Sequence, residues 1–426
     1  MKKLLIVQVA GLDLNGVRKS PDLAHGLGLE FREYASVFPA VTCTAAATMR
    51  TGLSPAGHGI ICNGRYDRNA CKVEFWCQSA RLIHGERIWA KARLRGAKVG
   101  VLFTQQSLGD ETDYALSPAP IHKHHGGMIQ SIHTKPPRLE SELTKTIGWK
   151  FNLANYWGPL ASGKSSTWCA ESTAALMTSE APEILFSYLP HMDYCQQKEG
   201  PDGPSAAKEF THLAHCLEIL LRAAKAHGYE VVVWGDYAIT AVEQPVFPNA
   251  ALLEAGLFQT RDIQGMLYPN LYDSRAFAIC DHQIAHVFIH DPADIPKVRA
   301  VLETLPGVES VQTPAEAKLE CPESGELVLT AAKGAWFAYS WWQKKSQAPD
   351  YATHVDIHNK IGFDPCELFW GIPFLTLDTD ARRVKGSHGR IDAKPAFAVT
   401  DGLSELRSAT SQIELSNRIR MLLDNI

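Results

Sequence analysis

Short apolar runs alternate with longer helix-patterned stretches through the first half of the chain. "KLLIVQVAG" (3–11) precedes a helix expected near 20–36. "AKVGVLF" (97–103) follows "GERIWAKARLRG", "APEILFSYLP" (181–190) follows "TWCAESTAALMTS", and "YEVVVWGDY" (229–237) follows "KEFTHLAHCLEILLRAAKAHG". Runs this uniformly apolar fit strands covered on both faces. Strand and helix in turn predict an α/β fold with a mainly parallel sheet between helices. Ligands in such sheets meet the carboxyl ends of the strands. Here those ends run into Gly11 to Asp13, into His191 and Asp193, and into Asp236.

The texture changes between residues 242 and 345. "AFAICDHQIAHVFIH", "DIPKVRAVLETLPGVESVQ" and "SGELVLTAAKGAWFAYSWW" read as strand, helix and strand, with a further strand pair. This predicts a small α+β lobe inserted between core segments 1–241 and 346–426. No repeat, low-complexity tract or long linker separates them, so the lobe is expected to pack on the main sheet. Trp336, Trp341 and Trp342 could be lobe core or could face an aromatic or lipid-like leaving group.

Composition narrows the function classes. The 426 residues are 45% hydrophobic and 21% charged, which suits a globular chain with a core. A net charge of −4 provides no global basic field. A nucleic-acid polymer or an anionic membrane is therefore not an expected partner. The opening apolar run is interrupted by Gln8 and ends in Asp13 and Asn15 rather than a cleavage site, so it reads as a buried strand. No run is long enough to span a bilayer, and a cytoplasmic location is expected. The 10 cysteines are scattered singly with no C-x-x-C, which predicts reduced thiols.

The stretch "FPAVTCTAAATMRTGLSPAGHGIICNGRYD" (38–67) fits neither a strand nor an apolar helix face. Thr42 follows a Phe-Pro turn, where a threonine can cap a helix. A hydroxyl at a helix N-terminus is equally placed to attack phosphorus beside an anion-stabilising dipole. Local sequence leaves both open. Thr44, Thr48 and Thr51 read as helix and turn residues.

"FPAVT", "TMRTGLSPAGHGI" and "NGRYD", in this order and spacing, resemble the type I phosphodiesterase/nucleotide pyrophosphatase family of the alkaline phosphatase superfamily. "LPHMDYCQQKEGP", "AFAICDHQIAHVFI", "SGELVLTA" and "GSHG" extend the resemblance to about residue 390. It implies an alkaline-phosphatase-like core, with Thr42 as nucleophile and Asn63 as the amide donor to a phosphoryl oxygen. It also implies one or two divalent ions, zinc first and manganese second, held by Asp and His at strand ends. Asp193, Asp236 and His388 fall on expected ligand positions. Three other ligand positions are substituted: the aspartate ending the first strand is Ala10, and Gln197 and Tyr237 replace histidines. Gln8 and Asp13 are the nearest polar residues to Ala10.

Other residues could stand in for the missing ligands. "CDHQIAH" offers Asp281, His282 and His286, which a turn could bring together; Gln197 is a further candidate donor. On a continuous strand, His282 and His286 would share a face opposite Asp281. "HVDIH" would place His354, Asp356 and His358 on one strand face, and "HKHHGG" (His122, His124, His125) reads as an exposed loop. With 17 histidines, chance clusters come easily. "GPLASGKS" (158–165) fits the phosphate-cradling pattern G-x-x-x-x-G-K-S and makes Lys164 a candidate phosphate contact, although no apolar strand precedes it.

Together these features predict a metal-dependent phosphoric ester hydrolase that forms a phosphothreonine on a small phosphorylated substrate. Two alternatives remain: a catalytically lapsed or altered-metal member that only binds a phosphorylated ligand, and a P-loop nucleotide-binding protein.

Overall fold

The computed structural model describes residues 3–124, 127–355, 358, 360–371 and 377–425. Its principal strands are β1 (Lys3–Val9), β2 (Arg32–Glu33), β3 (Val99–Leu102), β4 (Tyr114–Pro118), β5 (Ile132–Lys135), β6 (Ile184–Leu189), β7 (Tyr229–Gly235), β8 (Ala276–Asp281), β9 (Ile284–Ile289), β10 (Val308–Gln312), β11 (Leu327–Ala331) and β12 (Ala396–Val399). Its principal helices are α1 (Thr42–Thr51), α2 (Lys164–Ser179), α3 (His191–Glu199), α4 (Ala206–His227), α5 (Ile295–Glu303) and α6 (Gln412–Asp424).

An eight-stranded sheet in the order β2-β12-β7-β1-β6-β3-β4-β5 forms the centre. β7, β1, β6, β3 and β4 run parallel, and the pairings at the two edges are antiparallel. Because side chains alternate along a strand, β1 feeds both faces. Leu5, Val7 and Val9 pack with Trp168 and Leu176 of α2 and with Phe210 and Leu217 of α4. Leu4 and Ile6 pack on the other face with Ala45 and Met49 of α1 and Leu415 of α6. Both faces are thus covered, as the apolar runs required.

All ten residues of α1 are buried. That explains its many small side chains: a helix enclosed on every side has no solvent face on which to place long polar groups. Three of its four threonine hydroxyls turn to local or tertiary partners, and that of Thr44 is buried without one. Thr51 Oγ1 donates to the Ala47 carbonyl at 2.8 Å, and Thr48 Oγ1 lies 2.9 Å from His58 Nε2. α6 is fastened alongside by Gln412 Nε2 to the Ala45 carbonyl at 2.6 Å and by Ser416 Oγ to the Met49 carbonyl at 2.8 Å.

β8 to β11 form a separate four-stranded antiparallel sheet, ordered β8-β9-β11-β10, with α5 against it. The run 276–290, expected as one strand, is a hairpin. His282 takes a left-handed φ of 62° at its turn, so the polar Asp-His-Gln segment reverses the chain. Trp336 and Trp341 are buried core residues, and Trp342 packs on Trp341 with ring centroids 5.2 Å apart. These tryptophans are core, not a leaving-group face.

Two further expectations change. The helix expected near 20–36 is instead a short helix Leu14–Lys19, a turn Asp22–Gly26 and strand β2. Pro21 and the left-handed Gly28 break the pattern. The G-x-x-x-x-G-K-S segment follows a four-residue helix, Leu153–Tyr156, and not a strand. Without a strand feeding it, no P-loop forms. Among the described residues no helix is long and apolar enough to cross a membrane.

Candidate active site

The three neighbouring strands β7, β1 and β6 end level with one another, Val9 being in register with both Leu189 and Gly235. The residues just beyond them therefore emerge side by side: Ala10, then Pro190 leading into α3, and Asp236. Gly11 makes the tight exit from β1. Its φ is +62°, and a Cβ there would lie 2.7 Å from Gln196 Nε2.

α1 begins at the same edge. Its N-cap is Val41, with no side-chain cap, and Thr42 is the first helical residue. The hydroxyl of Thr42 is thus not spent on capping. It lies 3.2 Å from Tyr237 Oη, which donates to Asp193 Oδ1 at 3.0 Å. Since Tyr237 gives its proton to the carboxylate, Thr42 donates to Tyr237.

Asn63 stands against the same helix end. Its Oδ1 accepts from the Cys43 N–H at 2.9 Å, and its Nδ2 donates to Asp281 Oδ1 at 3.0 Å. One amide proton is left for a ligand. Asp281 also accepts from Asn63 N at 2.7 Å and from Cys62 Sγ at 3.2 Å. The suggested ligand Asp281 is thus a clamp on Asn63, both of its oxygens engaged. His286 sits deeper in the lobe, its Nε2 donating to the Ile61 carbonyl at 3.1 Å. It faces a different cavity of about 130 Å³, which Asn63 also borders and which takes in Arg65, Arg81 and Glu323.

The substituted ligand positions divide the site into two halves. In the first, Asp236 is completely buried and accepts from Gln8 Nε2 at 2.9 Å, Gly11 N at 3.2 Å and Tyr237 N at 3.0 Å. Burial outweighs these donors and raises its pKa to about 8. With Ala10 offering no donor and Tyr237 in place of an imidazole, this half has no ligand set for an ion. Gln8, noted only as the polar residue nearest Ala10, turns the carboxylate inward.

The second half contains Asp193, Gln197 and His388. His388 Nδ1 donates to the Ala40 carbonyl at 2.9 Å, which leaves the Nε2 lone pair inward, 3.8 Å from Asp193 Oδ1. His388 Nε2 and Gln197 Oε1 are both buried without a hydrogen-bond partner. A ring nitrogen tied to a carbonyl while the other stays bare is the usual arrangement of a metal-binding histidine. Burial holds His388 neutral, with its pKa lowered to about 3, and raises that of Asp193 to about 6. The imidazole is clamped in a stack. Tyr237 lies 3.7 Å away at 5°, His282 lies 3.9 Å away on the other face, and Phe363 is 4.2 Å beyond His282. His282, offered by the sequence as a ligand, is part of this stack.

Among the described residues no three His, Cys, Asp or Glu side chains are grouped to hold an ion. A two-ion centre therefore does not fit. A single ion fits only with the amide oxygen of Gln197 as third donor beside Asp193 and His388, and the two bare buried atoms favour that set.

Thr42, Asp193, Gln197 and His282 border a cavity of about 20 Å³, room for roughly one water. Aromatic residues close it, among them Trp76, Trp157, Tyr194 and Phe363, and Glu367 joins its wall. Nothing in the sequence singled out Glu367. Lys164 is exposed at the start of α2 and does not border this cavity. His354 lies exposed after a 3-10 turn, not on a strand; His358 Nδ1 bonds the Phe75 carbonyl at 2.9 Å; Asp356 and His125 lie outside the described residues.

Comparison with known proteins follows this geometry. Residues 24–364 match the family model described as type I phosphodiesterase / nucleotide pyrophosphatase. No curated protein matches the chain. Among solved structures, murine ectonucleotide pyrophosphatase/phosphodiesterase 5 is 15% identical with a TM-score of 0.63, covering 99% of this chain and 95% of that one. An inactive form of the murine protein, solved with AMP, is equally similar at a TM-score of 0.63 and 15% identity, over 100% of this chain and 95% of that one. Phosphonoacetate hydrolase from Sinorhizobium meliloti 1021, in complex with phosphonoformate, is 15% identical with a TM-score of 0.61, over 99% of this chain and 96% of that one. At such identities these likenesses establish the shared fold.

Proposed function

The chain belongs to the type I phosphodiesterase/nucleotide pyrophosphatase family of phosphoester hydrolases, and on that premise we propose that it cleaves a small phosphoric diester through attack by Thr42. The observation that carries this reading is the line Thr42 Oγ1, Tyr237 Oη, Asp193 Oδ1, with contacts of 3.2 and 3.0 Å. It gives the hydroxyl proton a path to a half-buried carboxylate. Burial of Asp193 favours its protonated form, which suits it to receive that proton.

In this reading Thr42 Oγ1 bonds to phosphorus as its proton moves to Tyr237 Oη and the phenol proton moves to Asp193 Oδ1. The N-terminus of α1 and the remaining Nδ2 proton of Asn63 face the developing negative charge. The aromatic wall excludes water from that charge. Thr42 is left carrying the phosphoryl group with its remaining ester, and water then hydrolyses the Thr42–phosphorus bond. A divalent ion on Asp193, Gln197 and His388 would add Lewis-acid stabilisation of the phosphoryl oxygens. Two oxygen donors and one imidazole suit manganese at least as well as zinc.

The test is release of nitrophenol from bis(4-nitrophenyl) phosphate, with acid quenching and peptide mass analysis. A 4-nitrophenylphosphoryl group on Thr42 that is absent from Thr42→Ala supports the reading. Turnover undiminished in Thr42→Ala overturns it.

A second reading has its own observation. The cavity has room for roughly one water and not for a phosphate group. A lapsed member would bind a phosphorylated ligand and release no product. Calorimetric binding of AMP without any nitrophenol release would favour it.

A further inference from the structure

We propose that Glu367 is the acid that protonates the leaving-group oxygen, an assignment that rests on the Thr42 reading above. Glu367 ends the 3-10 turn Pro365–Glu367 and is 8% exposed. It borders the same small cavity as Thr42 and Asp193. No hydrogen bond or ion pair to its carboxyl is made among the described residues, and neither of its oxygens is among the fully enclosed polar atoms without a partner.

The surroundings explain why it has no partner. Lys360, the nearest cation, is committed to Asp364 in an ion pair and donates to the carbonyls of Ala352 at 3.2 Å and His354 at 2.7 Å. Asp364 in turn caps the turn by accepting from the Cys366 N–H at 3.0 Å. The cavity wall beside Glu367 is aromatic, with Tyr194 and Phe363. The titratable groups acting on it are Lys360, Asp193 and Asp281. Burial first, then the two aspartates, raise its pKa to about 8 against the opposing pull of Lys360. A carboxyl in that setting keeps its proton at neutral pH and can donate it.

The chemistry has a place for such a donor. A pair of ions can stabilise both the attacking and the leaving oxygen of an in-line displacement. Here the half of the site around Asp236 has no ligand set for an ion, so the leaving oxygen needs a proton. As the Thr42–phosphorus bond forms, the bond from phosphorus to the leaving oxygen breaks, and that oxygen takes the Glu367 proton and departs as an alcohol. Glu367 is left as a carboxylate. In the second half-reaction it takes a proton from the attacking water, whose oxygen bonds to phosphorus while the Thr42–phosphorus bond breaks. Thr42 recovers its proton from Asp193 through Tyr237. The sum is ester plus water giving alcohol plus phosphoric acid derivative, with Glu367 again protonated.

The experiment compares leaving groups. Wild type, Glu367→Gln and Glu367→Asp are assayed on 4-nitrophenyl and on unsubstituted phenyl diesters, whose phenols differ in basicity. Glu367→Gln is expected to lose roughly a hundredfold in kcat/KM on the phenyl ester and less than about fivefold on the nitrophenyl ester. Glu367→Asp, which keeps an acid, is expected to fall between. Infrared spectra of the unreacted protein at pH 7 should show a protonated carboxyl band that Glu367→Gln removes. Equal losses on both substrates, no loss on either, or no such band overturns the assignment while leaving Thr42 in place. No turnover of either ester by wild type overturns both.

Discussion

The two halves of the site start from equivalent places, the carboxyl ends of adjacent parallel strands, and end in opposite states. Around Asp236 the carboxyl oxygens are answered by Gln8, Gly11 and Tyr237, and Gln8 Oε1 alone is left buried without a partner among the polar atoms of these side chains. Around His388, its own Nε2, Gln197 Oε1 and Nδ1 of the stacked His282 are buried with no partner. A saturated group stabilises the fold and offers a ligand nothing. A bare buried group costs stability, about 1–3 kcal/mol each, and its retention is a sign of use. Tyr237 belongs to both halves: its backbone N–H closes the first, and its phenol reaches Thr42 and Asp193 in the second.

The sharpest way to break the comparison is to remove the group the open half serves. Thr42→Ala is expected to lower diesterase turnover by about 10⁴-fold or more, with melting temperature close to wild type, read from nitrophenol release and circular dichroism. On the open half, His388→Gln should cost about 10²-fold in kcat/KM and lower manganese binding by titration calorimetry. A comparable loss of both in Asp236→Asn would abolish the distinction.

Asp236→Asn is expected to act on stability. Its Oδ1 would still accept from Gly11 N and Tyr237 N, but its amide nitrogen would face Gln8 Nε2, so a loss of about 1–3 kcal/mol should appear as a lower melting point, with activity within about threefold of wild type. Metal content offers another test: Ala10→Asp combined with Tyr237→His should raise the bound manganese, measured by mass spectrometry, from at most one equivalent toward two. No gain would mean that Gln8 still holds the carboxylate inward.

The smallest expected effect is on pH dependence. The folded pKa of Asp236, raised to about 8, lies above its unfolded value near 4. The folded state therefore binds more protons in that interval, and this contribution to stability is lost as pH rises through about 8. Buried His388 works in the opposite sense, only below its unfolded value of about 6.5. Between pH 7 and 9, then, the free energy of unfolding by urea should fall with pH, by at most about 1.4 kcal/mol per unit for each such group. Asp236→Asn should flatten the fall; the part that survives belongs to Glu367, whose pKa is also raised to about 8, and toward pH 9 to the buried cysteines, whose thiols burial raises.

Local pattern was enough for the architecture. Uniformly apolar runs between helix-patterned stretches required a covered parallel sheet, because such strands have no face to give to water. The same pattern placed Asp193 and Asp236 just beyond strand ends, and the motif around Thr42 and Asn63 carried the family. Direction and partnership were out of reach. Whether Asp236 faces a ligand or Gln8, whether Asp281 binds an ion or clamps Asn63, and whether His282 coordinates or stacks each depend on groups about 80 to more than 200 residues away in the chain. Glu367 had no signal at all, since a single glutamate in an aromatic stretch looks the same exposed or enclosed. The sequence determined the fold and the chemical groups at its edge, because periodicity is a local property. Only the tertiary structure decided which of those groups remain unsatisfied, because hydrogen bonding and burial are properties of neighbours in space.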